Sequence, residues 1–120
     1  MIKQVIIIRR DLKMRRGKEI SQGSHASMMW LCDRIKSNLQ FSEEESEWLN
    51  GIFTKITLQI DSESELLNIY NKAKEKSLTA YLVTDSGKTE FGGIPTITAL
   101  AIGPHEATRI DEITSELKLY

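Results

Sequence analysis

Apolar positions along the 120-residue chain change period several times, and each change predicts an element. Lys3 to Arg9 contains Val5-Ile6-Ile7-Ile8, a continuous β-branched run that predicts a strand buried on both faces and central in its sheet. From Lys18 to Leu39 the pattern shifts to Met28, Leu31, Ile35 and Leu39. Spacings of three and four mark one face of a long helix, the kind that amphipathic helices turn toward a core. Ser42-Glu43-Glu44-Glu45 is a capping-box sequence opening a short helix through Trp48 and Leu49, which Asn50-Gly51 ends. Thr54 to Ile60 alternates, with Ile56, Leu58 and Ile60 opposite Lys55, Thr57 and Gln59, and so predicts a strand near an edge. Ser62 to Glu65 repeats the capping logic, and Leu66, Tyr70 and Ala73 carry a third helix to Ser77. Ala80 to Thr84 reads as a short strand, Asp85-Ser86-Gly87 as a turn, and Thr96 to Ile102 as another strand. Gly103-Pro104 reads as the opening of a last helix with Ile110, Ile113 or Thr114, and Leu117.

The predicted order is β, α, α, β, α, β, β, α. Strands separated by helices call for crossover connections and a partly parallel sheet with helices on its faces. The short link between the last two strands permits an antiparallel pair, so the expectation is a three-layer α/β domain around a small mixed sheet, spanning 1–120 as one unit. In such folds ligands lie beyond the carboxyl ends of parallel strands. The loop after the first strand and the Asp85 turn after the third converge there if those two strands run parallel.

Four apolar residues before Arg9 are too few to span a membrane, and no signal-peptide pattern follows them, so a soluble intracellular protein is expected. Cys32 has no partner for an internal disulfide, which fits a reducing compartment. Net charge is −1, but its distribution is uneven. Residues 1 to 18 hold seven cations against one acid, Asp11, and residues 61 to 120 hold six cations against ten acids. A local cluster of Arg9, Arg10, Lys13, Arg15, Arg16 and Lys18 on a near-neutral chain points to a phosphate-bearing partner, with a solvated loop as the plainer alternative.

Lys18, Gln22 and His25 share one face at the start of the long helix, near the positive end of its dipole. A lysine and free backbone amides there suit a phosphate or a developing oxyanion. Gly17 before them would let another backbone approach closely. Asp85 ends a buried strand, where it either forms a turn or meets Lys18 and orients or deprotonates water. Thr89 and Thr98 add hydroxyls. The chain has no G-x-S-x-G, Walker or G-x-G-x-x-G motif and no zinc-ligand spacing, so a metal site and a cofactor are not expected. Cys32 reads as a small buried thiol rather than a nucleophile, leaving direct attack by water as the natural route to hydrolysis.

Arg10-Asp11-Leu12-Lys13-Met14, Gly17-Lys18, Gln22 and His25-Ala26 together resemble the N-terminal signature of the archaeal and eukaryotic-type peptidyl-tRNA hydrolases. Thr84 to Glu90, then Thr96, Thr98 and Ala101-Ile102-Gly103-Pro104, and finally Ile110-Asp111 with Leu117-Lys118-Leu119, resemble later blocks of that family in the same order. The resemblance implies a three-layer α/β/α sandwich around a four-stranded mixed sheet, frequently dimeric. It implies a cytoplasmic hydrolase that cleaves the ester between a peptide and the terminal ribose of tRNA. It further implies Lys18 and Asp85 as catalytic positions, with Gln22, His25, Thr89 and Thr98 lining the site, and either Asp85 or His25 is expected to prepare the water. Departures from the family pattern are Ser86, Gly92-Gly93-Ile94-Pro95 and Ser115, and the glutamate-rich segment from Phe41 to Phe53 has no evident family role. Charge and spacing alone also allow two other functions: a non-enzymatic module that binds RNA or protein through the basic loop, and a deacylase for another acylated tRNA.

Overall fold

The computed structural model describes residues 1–120 and follows the predicted element order. The elements are β1 (Ile2–Arg9), α1 (Arg16–Lys36), α2 (Glu43–Asn50), β2 (Lys55–Ile60), α3 (Glu63–Glu75), β3 (Ala80–Asp85), β4 (Thr96–Glu106) and α4 (Ala107–Thr114). The strands lie in the order β2-β1-β4-β3. β1 is parallel to β2 and antiparallel to β4, and β4 is antiparallel to β3. β1 and β3 therefore point the same way, and their carboxyl ends share one edge of the sheet. No helix is long and apolar enough to cross a membrane.

Alternation along the strands divides the core. Val5, Ile7, Leu58, Leu100 and Ile102 face α3 and α4, whose Leu66, Ile69, Ala73, Ile110 and Ile113 cover them. Burying each large aliphatic there contributes about 1.5–3 kcal/mol. Ile6, Ile8, Val83, Ala99 and Ala101 face the other way, toward Ala26 of α1. Trp30 of α1, Trp48 of α2 and Ile2 form a third cluster at the far end of the sheet, the two indoles edge-to-face at 6.0 Å. The capping box opening α2 forms as the sequence predicts, with Ser42 and Glu45 each accepting from the other's backbone amide. Glu45 also takes a two-pronged ion pair from Arg34, at 2.8 Å in its shorter arm, which ties α2 to α1.

Two expectations fail for physical reasons. The predicted stripe faces outward: Met28 and Ile35 are 55% and 68% exposed, Leu39 lies beyond the end of α1, and Ile20, which shares that face, is 65% exposed. The buried face is instead Glu19, Gln22, Ala26 and Trp30, because tertiary partners draw the two polar residues inward. With Phe53, Ile6 and Ile8, the outward residues Ile20, Met28 and Leu31 line a groove of about 730 Å³ beside β2. Gly103-Pro104 does not begin the last helix, since β4 runs through it to Glu106. Proline is tolerated in a strand at an irregularity, and the β1/β4 register shifts there.

A second irregularity in β4 matters for the site. Val83 pairs with Ala99 and Thr84 with Ile97, so Thr98 is an extra residue on its strand. Such a bulge breaks the alternation and re-aims a side chain. Thr98 consequently turns toward α1, the same side as Ala99.

Candidate functional site

At the carboxyl edge of the sheet the chain leaves β1 into residues 10–15, then enters α1 with Arg15 as its N-cap. No side chain caps this helix, so the first amides of α1 remain available as donors beside the positive end of its dipole. A Cβ placed on Gly17 would meet nothing within 4 Å. The expected close approach of another backbone at Gly17 does not occur, and the residue borders open space.

Lys18 projects from this first turn across the sheet edge to β3. Its ammonium donates to Asp85 Oδ1 at 2.9 Å and to Thr89 Oγ1 at 2.8 Å. Both members of the ion pair are mostly buried, at 15% and 13% side-chain exposure, so water screens them weakly. An ammonium has three donors, and the third is uncommitted. Thr89, exposed and accepting from Lys18, has its own hydroxyl hydrogen free to point outward. Phe91 lies beneath Lys18, the ammonium 5.8 Å from the ring centroid.

Asp85 accepts three hydrogen bonds: Lys18 and Gln22 Nε2 (3.3 Å) on Oδ1, and the Gly87 amide (2.9 Å) on Oδ2. The Lys18 bond first, and the Gly87 amide second, hold its carboxyl below the usual carboxylate range. Gly87 is required by this geometry: its φ is +80°, and a Cβ there would stand 2.0 Å from the carbonyl oxygen of Ile94. Behind Asp85, the hydroxyl of Thr98 donates to Gln22 Oε1. That bond fixes which end of the Gln22 amide faces Asp85. Thr98 is 0% and Gln22 2% exposed, so they back the site rather than line its opening.

His25 lies on the Lys18 side of α1, exposed and without a hydrogen-bond partner. Among the expected loop cations, Lys13, Arg15 and Arg16 are exposed. Arg10 is also exposed and stacks its guanidinium 4.2 Å above the Tyr120 ring, whose hydroxyl donates to buried Glu19. That bond to Glu19 raises the Tyr120 pKa. Arg9 departs from the expectation. It is 8% exposed and its guanidinium is held internally by Asp11 and the Ile97 carbonyl, because the alternation of β1 turns it under the sheet edge.

The charge run and the turn signal thus mark two segments that the structure brings into contact through Lys18 and Asp85. The Thr98-Gln22 bond, the Gly87 amide and the Phe91 floor escape a reading by pattern; only Gly87, in an Asp-Ser-Gly turn, left a trace. No three histidine, cysteine or acidic side chains stand together as a metal site.

The profile of the family described as Peptidyl-tRNA hydrolase PTH2 matches residues 2–120. A Methanocaldococcus jannaschii protein named peptidyl-tRNA hydrolase is 39% identical over 118 residues, covering 98% of this chain and 99% of its own. One of the same name from Methanothermobacter thermautotrophicus is 41% identical over 120 residues, with 98% and 99% covered. A solved Agrobacterium structure, described as a protein of unknown function, shares the fold with a TM-score of 0.62 at 14% identity, covering 98% of this chain and 96% of that one.

Proposed function

The chain belongs to the peptidyl-tRNA hydrolase PTH2 family, and on that premise we propose that residues 1–120 act as one domain hydrolysing the ester between a peptide and the 3′ end of tRNA, with Lys18 and Asp85 at the centre of the reaction. The observation that carries the site is the 2.9 Å pair of Lys18 and Asp85 at the sheet edge, flanked by exposed Lys13, Arg15 and Arg16.

In this reading the loop cations, with Arg10, hold phosphates near the acceptor end. The uncommitted Lys18 donor and the Thr89 hydroxyl face the ester carbonyl and stabilise the negative oxygen that forms when water adds. Asp85 is a weak proton acceptor, since three donors and a lowered pKa keep it ionised. Its part is to aim Lys18 and to orient the attacking water through a remaining lone pair. His25, free of partners on the same side of α1, is the residue assigned to accept the proton from that water. Gln22 and Thr98 hold Asp85 from behind and do not touch substrate.

The test is release of peptide from an N-blocked aminoacyl-tRNA by the purified protein. Cleavage of the blocked but not the free aminoacyl-tRNA, abolished in Asp85→Ala with RNA binding retained, supports the reading. No release by the wild type favours the binding module instead, and equal cleavage of free aminoacyl-tRNA favours a deacylase.

We assign the protein to the cytoplasm, where its substrate is made, as a homodimer. The exposed stripe of α1 from Ile20 to Ile35 runs about 22 Å at 1.5 Å per residue and supports a two-fold pairing of this helix with a second copy. Light scattering should give twice the chain mass, halved in Met28→Glu/Ile35→Glu; a mass unaffected by those changes would rule out this interface.

A further inference from the structure

Arg9 lies beneath the cations proposed to meet phosphate, with a side chain 9% exposed. Its guanidinium uses two edges. One grips Asp11 with both prongs, Nε to Oδ1 at 3.1 Å and Nη2 to Oδ2 at 2.6 Å. The other donates from Nη1 to the backbone carbonyl of Ile97 at 2.9 Å, with Glu63 at 3.9 Å as a second, looser acid.

The Ile97 carbonyl is a telling acceptor. The ladder between β1 and β4 has its last pair at Ile8 and Ala99. Beyond it comes the extra residue Thr98, and then Ile97. The Arg9 side chain therefore spans the bulge and binds β4 on its far side. A bulge is a local choice among registers, and a bond on each side of it settles that choice.

Resting on the functional reading above, we propose that Arg9 is a positioning residue: through Ile97 it sets the bulge that aims Thr98 at Gln22 and so holds Asp85, while through Asp11 it fixes the loop bearing Lys13, Arg15 and Arg16. One buried fork thus couples the segment that meets RNA to the group that aims Lys18. A guanidinium suits this and an ammonium does not, because a planar fork satisfies a carboxylate and a carbonyl at fixed angles.

The experiment compares wild type, Arg9→Lys, Thr98→Val and the double variant, measuring kcat and KM on N-blocked aminoacyl-tRNA. It also follows the Asp85 carboxyl by carbon NMR through an acid titration of the free enzyme. Arg9→Lys should lower kcat about tenfold or more, as small misplacements at a reacting group do. In the Thr98→Val background the same change should alter kcat less than about twofold, because the link is already cut. The Asp85 titration should rise toward the ordinary carboxylate range in both single variants. Effects on kcat that multiply independently, or an Asp85 titration unmoved in Arg9→Lys, overturn the proposal.

Asp11→Asn keeps Arg9 and its bond to Ile97, and it decides the loop half even if Arg9→Lys does not fold: a raised KM at unchanged kcat supports the coupling, an unchanged KM overturns it. Because the titration needs no substrate, a wild type inactive on peptidyl-tRNA would sink the function while leaving the Arg9 result readable.

Discussion

Replacing Thr98 by valine removes one hydroxyl and almost no volume, so it isolates the bond that orients Gln22. Both partners are sealed from water, at 0% and 2% exposure, and the Gln22 oxygen would have no solvent to turn to. Leaving a buried acceptor unsatisfied costs about 1–3 kcal/mol. The site belongs in the upper half of that range, since the bond is direct and the Gln22 oxygen accepts from no other donor. For a chain of this size the loss corresponds to a fall in Tm of roughly 4 °C per kcal/mol. The catalytic effect has a separate origin. Without the hydroxyl, the amide can reverse and present its oxygen to the Asp85 carboxylate, which repels it, and Lys18 loses a fixed partner. Turnover should drop about 10- to 100-fold, with KM little changed, because nothing that meets RNA has moved. Denaturant unfolding and peptide release from N-blocked aminoacyl-tRNA measure the two effects independently. Thr98→Ser, which restores the hydroxyl and loses a methyl, should recover most of the turnover. Wild-type turnover in Thr98→Val, or no recovery in Thr98→Ser, would show that packing rather than the hydrogen bond matters there.

Three further outcomes follow from the same geometry. Arg15→Ala/Arg16→Ala should weaken tRNA binding and reduce the slope of log affinity against log salt by about two, whereas Lys72→Ala/Lys74→Ala on α3 should leave it unchanged; equal slopes in all forms would remove phosphate contact from the loop. Because Lys18 and the Gly87 amide lower the Asp85 pKa, the stability they confer is full above the ordinary carboxylate value of about 4 and is lost as pH falls through the lower folded value. The stability gap between wild type and Asp85→Asn should accordingly be constant near neutrality and close only in acid; closure between about pH 5 and 7 would mean another group titrates. Gly87→Ala forces a Cβ to within 2.0 Å of the Ile94 oxygen at φ +80°, and should abolish turnover while exposed Lys88→Ala leaves it intact; an active Gly87→Ala would show that the turn can be rebuilt.

Periodicity alone determined the element order, the central place of β1, the edge place of β2 and the cap that starts α2, because each rests on neighbours within four residues. The cluster of cations and the Asp85 turn were also legible, since charge runs and turn residues are local signals. Contacts distant in sequence decided the rest. Lys18 and Asp85 meet across 67 positions and Thr98 reaches Gln22 across 76, and no local pattern records such pairs. The same contacts turned α1 against its own apolar stripe: Gln22 is buried between Asp85 and Thr98 and Glu19 beneath Tyr120, with one Glu19 oxygen lacking a hydrogen bond, while Ile20 and Met28 stay exposed. They also withdrew Arg9 from the phosphate loop, where sequence counts it as one cation among six, and set it between Asp11 and Ile97. Local chemistry chose the elements, and the register of one bulged strand decided which side chains face one another at their ends.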